Sequence, residues 1–234
     1  MKYLKFPKHF TSNQKKRFKK AWGEAKILAD EHEIDISEIK SVTFDDDFFL
    51  KGELTKYIEL TKTMYLSRKA LKVNPTFLIF HEMVHAHDLM HDTSFSDPWE
   101  GDIFLTSIAQ EMWMEYHADK LSYTQRDVRD EKAHEVTRLG WVYKVLMTTP
   151  TLPTPEDENV FAGALEAMAR LIGSGSAFFE FIKDSTKPEV LAWIPVLIRV
   201  ETLLAEIPTD ERTIRSYAAL AAFLGEIDTY PQAT

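Results

Sequence analysis

The chain has 234 residues, 44% of them hydrophobic and 28% charged, which suits one compact domain or a core with a helical extension and excludes wholesale disorder. It contains no cysteine, which excludes disulfide frameworks, thiolate zinc fingers, iron–sulfur clusters and a cysteine nucleophile. The net charge is −9, yet residues 1–20 carry eight Lys/Arg and no Asp/Glu, so the remainder sets 20 basic against 37 acidic residues, a balance that argues against broad nucleic-acid binding.

In chain order, the first predicted element is an amphipathic helix over 13–33. Phe18, Trp22, Ala25 and Leu28 form an apolar stripe at helical spacing, and the basic run Lys15-Lys16-Arg17-Phe18-Lys19-Lys20 reads as its solvated face. That run is also the one candidate for contact with an anionic partner. Three short alternating stretches follow: Ser41–Phe44, Tyr57–Leu60 and Met64–Ser67. Asp45-Asp46-Asp47 and Thr61-Lys62-Thr63 separate them, and the pattern predicts a small antiparallel sheet of about three strands. Asn74-Pro75 then opens a helix, with an Asn side chain to accept an orphan N–H and a proline pre-set for the first turn.

Asp97-Pro98-Trp99-Glu100 repeats that logic and predicts a second long helix ending about Tyr123. A third is expected over about 131–147, with Val136, Leu139, Tyr143 and Leu146 in phase. Prolines 150, 153 and 155 mark residues 148–157 as a connector, beyond which lie three or four alanine- and leucine-rich helices. This tail has no residue cluster that suggests chemistry, so packing or contact with a protein partner is its expected role. The reading is α+β and predominantly helical: a core over 1–147, a connector over 148–157 and a helical region over 158–234. No apolar run approaches the ~20 residues of a membrane helix, and the N-terminus lacks the apolar stretch of a secretory signal, so a cytoplasmic location without membrane contact is expected.

The helix opened by Asn74 contains His81-Glu82-Met83-Val84-His85. At ~100° per residue, His81 and His85 lie on one face a turn apart, where both imidazoles can reach a single ion. Glu82 sits beside that face, positioned to touch a metal-bound water without itself being a ligand. Zinc held this way would lower the pKa of that water to about 7 and polarise a carbonyl, with Glu82 taking the proton. A catalytic site needs a third protein ligand. Glu115, in Glu115-Tyr116-His117-Ala118-Asp119, is preferred; Asp119, one turn on, could then accept the Nδ1–H of a zinc histidine and fix its tautomer. His91, ten residues after His81, is the second candidate, and Glu111, one turn before Glu115, a further one.

His81-Glu82-x-x-His85 followed by Glu115-x-x-Ala118-Asp119 resembles the gluzincin metallopeptidases. With a small sheet before the active-site helix, it is similar to the reduced core of minigluzincins and related intracellular peptidases over about residues 40–125. The resemblance implies zinc on His81, His85 and Glu115, general-base work by Glu82, and Asp119 supporting a histidine. Metzincins place a third histidine where His91 stands, but with glycine at the position held here by Asp88. SprT-like proteases are similar over His81–Ala86, yet they use a further downstream histidine, and residues 92–116 contain none. Peptide deformylases are excluded by the missing cysteine.

The expected activity is therefore hydrolysis of a peptide or protein substrate by a zinc-dependent metallopeptidase. The oxyanion would be held by zinc and one of Tyr116, His117, His134 or Tyr143. A strand from the 57–67 hairpin could align an extended substrate. The rival expectation is a metallopeptidase-like fold working as a non-catalytic binding or regulatory module.

Overall fold

The computed structural model describes residues 3–4, 6–8, 10–48, 54–93, 101–122, 155–173 and 194–227. They fall into two compact units. The first comprises the described residues up to His91 together with Leu121 and Ser122; the second comprises those of 92–120 and those from 155 onward. The expected helix over 131–147, and the connector up to residue 154, lie outside the described residues.

In the first unit, helix α1 (Ser12–Glu31) starts on a reciprocal cap. The Thr11 hydroxyl accepts from the Gln14 backbone N–H, and the Gln14 side chain accepts from the Thr11 N–H, so two donors of the open helix end are satisfied. Its buried stripe is Phe18, Ala21, Ala25 and Ala29, while Lys16, Arg17, Lys19 and Lys20 are exposed. Phe18 meets Phe6 and Phe44 edge-on, with ring centroids 5.7 and 5.2 Å away, an arrangement that aligns ring edges with ring faces.

Four strands form the sheet of this unit: β1 (Tyr3–Leu4), β2 (Ser41–Phe44), β3 (Thr55–Ile58) and β4 (Thr63–Leu66), in the order β1-β2-β4-β3. The antiparallel expectation is corrected here. Strands β3 and β4 form the antiparallel hairpin, with Tyr57 opposite Met64, but β4 runs parallel to β2, with Val42 opposite Met64 and Phe44 opposite Leu66. Alternation reports which face a strand buries, not the direction of its neighbour. Val42, Phe44, Tyr57, Met64 and Leu66 are the buried hydrophobic residues of β2, β3 and β4, and Thr63 is buried with them.

Helix α2 (Pro75–Met90) begins as expected: Asn74 Oδ1 accepts from the Phe77 N–H, and Pro75 occupies the first position. It packs against α1 and β3. Residues 79–86 and Asp88 are all buried, so this helix is enclosed on nearly every side rather than amphipathic. Ile79, Phe80, Met83 and Val84 are fully buried, each contributing about 1.5–3 kcal/mol of burial and fixing the histidines between them.

The second unit is helical. Helix α3 (Ile103–Ser122) is followed by α4 (Pro155–Gly173), α5 (Ile194–Glu206) and α6 (Ala218–Ile227). The start of α3 corrects the expectation of a helix opening at Asp97-Pro98. Gly101 and Asp102 are not helical, and Asp102 is the cap, its carboxylate accepting from Leu105 N and its carbonyl from Thr106 N. Pro155 likewise opens α4, where its fixed φ and missing N–H are harmless, so residues 155–157 are helix rather than connector. Leu105, Ile108, Ala109, Met112, Trp113 and Tyr116 form one stripe of α3 in the core of this unit, with Leu165, Met168, Ile172, Val200, Leu204 and Leu220 from the other helices. Taken together, the described residues form a predominantly helical α+β structure with a small mixed sheet. No helix among them is long and apolar enough to cross a membrane.

Gly173, the last residue of α4, marks a close approach to α3. A Cβ there would lie 2.5 Å from the Tyr116 carbonyl oxygen, a backbone atom that cannot swing aside. Gly173→Ala is therefore expected to destabilise the protein by about 1–3 kcal/mol in urea unfolding, the usual penalty for overpacking. An unchanged midpoint would mean that the end of α4 moves freely.

Candidate metal centre

The histidine pair is a product of local helix geometry. His81 and His85 project from α2 one turn apart, with ring centroids 4.5 Å apart and planes at 89°. Their Nε2 atoms converge to 2.9 Å. Both rings are buried, at 4% and 8% exposure. Imidazole nitrogens aimed at one point in an apolar setting form a donor set suited to a borderline cation.

Glu82, buried between them in sequence, turns to the sheet. One carboxylate oxygen accepts from the Thr55 hydroxyl at 2.9 Å and the other from the Tyr57 backbone N–H at 2.6 Å. Strand β3 is the edge of the sheet described here, so Glu82 satisfies a donor that no neighbouring strand takes. A carboxylate has about four acceptor positions, and these two bonds leave room for an incoming proton. The sequence reading placed Glu82 beside the histidine face but missed its two anchors in β3, which are 27 and 25 residues away.

His91 has a different place. It caps the C-terminus of α2, its N–H donating to the His87 and Asp88 carbonyls, and its ring lies 4.5 Å from that of His87. His87 Nδ1 accepts from the Asp35 N–H at 2.9 Å, which ties the loop after α1 to α2. The Asp35 carboxyl is held below its ordinary value, chiefly by the hydrogen bond from the Ser37 N–H, with smaller contributions from the Ser37 side chain, His87 and His91.

In the second unit, Glu115 is half-buried on α3, and one of its carboxylate oxygens accepts from the Arg170 guanidinium of α4 at 2.7 Å. Asp119, one turn later, is fully buried. Of the suggested oxyanion donors, Tyr116 accepts from Lys120 Nζ at 3.1 Å, and the His117 ring stacks on Trp113 with centroids 4.9 Å apart. His134 and Tyr143 lie outside the described residues. Glu166, facing this cluster from α4, is pushed up to about 7 by burial first, then by the charges of Glu115 and Glu111, with Arg170 opposing the shift. It also shares a hydrogen bond with Glu111.

The proton on Glu166 has a measurable consequence. The folded protein holds it up to about pH 7, whereas the unfolded chain releases it near the ordinary glutamate value of 4.5. Folding then binds a proton between those values, so stability contributed by this group falls as pH rises from 4.5 to 7. Under a chelator, Glu166→Gln is expected to flatten that decline in urea midpoints. A wild-type curve that rises across the same window, and is unaltered by the substitution, would reverse the sign argued here.

His81, His85 and Glu115 each offer one ligand atom, and the three atoms lie within 4.8 Å of one another, so this group could hold a metal ion. The fit is reasonable: zinc–nitrogen and zinc–oxygen bonds of about 2.0–2.2 Å in a tetrahedron put ligand atoms roughly 3.4 Å apart. Two imidazoles and one carboxylate also form a donor set used by catalytic zinc sites, which keep a fourth position open. Neither His91 nor Glu111 is in the group. Comparison with protein-family profiles, with characterised proteins and with solved structures returned no match.

Proposed function

We propose that this protein is a zinc-dependent metallopeptidase, with His81, His85 and Glu115 holding the ion and Glu82 serving as general base. The observation that carries the reading is the convergence of the three ligand atoms, with Glu82 next to His81 on the same helix. A bound zinc ion would supply Lewis acidity, acidifying water and polarising a substrate carbonyl. The rest falls to the chain. Glu82 takes the proton and returns it to the leaving amine, its carboxylate held in one orientation by Thr55 and the Tyr57 N–H. The apolar residues around the two rings restrict water, which strengthens charge–dipole interactions at the site. Asp119, buried one turn from Glu115, is assigned the task of fixing a histidine tautomer.

One observation favours the second reading, a non-catalytic module built on the same scaffold. Glu82 has a structural occupation, tying α2 to the edge of the sheet, so its presence does not by itself require catalysis. Zinc titration of the chelator-stripped chain is the first test. One zinc per chain is expected, weakened in Glu115→Ala by more than the about 10–100-fold that loss of a merely supporting group costs. His91→Ala should bind as the wild type does. Loss of the ion in His91→Ala with retention in Glu115→Ala would replace the ligand set proposed here.

A further inference from the structure

Helix α4 carries a charged contact that the metal reading leaves unused. Arg170 lies between Ala169 and Leu171, both buried. Its side chain is 31% exposed, and its guanidinium donates at 2.7 Å to one oxygen of Glu115, whose side chain is 15% exposed. Glu115 has acidic neighbours on both helices: Glu111 one turn before it on α3, and Glu166 one turn before Arg170 on α4.

We infer that Arg170 is a positioning residue for Glu115: it fixes the carboxylate in one rotamer and supplies a cation to a cluster of three carboxyl groups. The inference rests on the reading of Glu115 as a metal ligand. A half-buried glutamate with two acidic neighbours is driven to swing toward solvent. An arginine bond of good geometry opposes that, because the planar guanidinium fixes direction as well as charge. The bond from Arg170 reaches the Oε1 oxygen of Glu115 and orients the carboxylate through it. Helix α4 thereby takes part in holding Glu115 on α3. An opposite outcome is physically available: arginine competes with a cation for the same negative charge, and its removal would then tighten metal binding.

The full-length chain, stripped with a chelator and titrated with zinc against a chromogenic competitor well below its melting temperature, separates these outcomes. Arg170→Met is expected to bind zinc about 10–100-fold more weakly, the range seen when a ligand's supporting partner is removed. Arg170→Lys should fall between it and the wild type, since lysine restores charge but not the planar fork. Leu171→Ala, which removes a buried side chain from the same turn, should lower the melting temperature without a comparable loss of affinity. That control separates positioning from packing. Equal or tighter binding in Arg170→Met overturns the inference; if that variant does not fold, wild-type affinity in Arg170→Lys overturns it instead. Failure of the underlying reading looks different: wild type and Glu115→Ala would then bind zinc equally, or not at all.

Discussion

Glu82→Gln is expected to abolish peptide hydrolysis while leaving the fold and zinc content intact. Loss of a general base costs at least about 100-fold, so the effect should be plain on any unfolded protein substrate that the wild type cleaves. The bonding around Glu82 explains why glutamine is a clean probe. Its amide oxygen can accept from the Tyr57 N–H, and its NH2 can donate to the Thr55 hydroxyl, which reverses its role at no cost. Glu82→Ala differs, because it strips the acceptor from a buried backbone donor and should cost about 1–3 kcal/mol of stability. The pair of variants therefore divides catalysis from architecture. If Glu82→Gln cleaves as fast as wild type while Glu82→Ala is destabilised, Glu82 is a structural tie and the binding-module reading replaces the enzymatic one.

What could be read from the sequence tracks the range over which each interaction acts. The cap at Asn74-Pro75 and the pairing of His81 with His85 involve residues within a turn or two and are legible because helix geometry fixes them. The stripe of α1 is legible in part, since Phe18 and Ala25 are buried but Trp22 and Leu28 are half-buried and Ala21 and Ala29 take the inner positions. Glu115 is legible only in combination: a carboxylate pair at the spacing of Glu115 and Asp119 is common on acidic helices, and it stands out because it follows His81-Glu82-x-x-His85 on the next predicted helix. The parallel pairing of β2 with β4 was not legible, because strand patterns hold no record of the neighbour's direction. The start of α3 was not legible because cap-forming residues lie close together at Asp97 and Asp102, and α3 is capped by Asp102. Arg170, a lone basic residue on an apolar helix, and Arg212, one of several charged residues between Asp210 and Arg215, are not marked by any sequence motif. For Arg170 the available hint is positional, since it falls between Ala169 and Leu171, both buried, a place a cation occupies only with partners. Arg212 follows an exposed polar stretch, residues 208–211, and its burial leaves no trace in the sequence.

Arg212 is the buried charge that matters most for stability. It is fully buried in the second unit, with its Cζ 4.0 Å from the centre of the Trp113 ring and Nη1 donating to the Thr209 and Asp210 carbonyls at 2.8 and 3.1 Å. Asp92, with a side chain 1% exposed, lies 4.0 Å from Arg212 Nε and accepts from Gln110 and from the Tyr217 hydroxyl. The Arg212 carbonyl in turn accepts from both the backbone and the hydroxyl of Thr93. Burial and the neighbouring Asp92 raise the Tyr217 phenol well above its ordinary value, so it stays a donor to that carboxylate. Such an arrangement contributes little if both charges are replaced together, since desolvation offsets the attraction, but a great deal if one is removed alone. Arg212→Met is accordingly expected to cost about 3–5 kcal/mol in urea unfolding, by stranding Asp92 in the interior. The double variant Asp92→Asn/Arg212→Met should recover part of that loss, because the charge left behind is gone while Gln110 and Tyr217 keep an acceptor. A single variant within about 1 kcal/mol of wild type would mean that Asp92 is already neutralised by its other donors, and the arginine would then serve chiefly as a flat surface for Trp113.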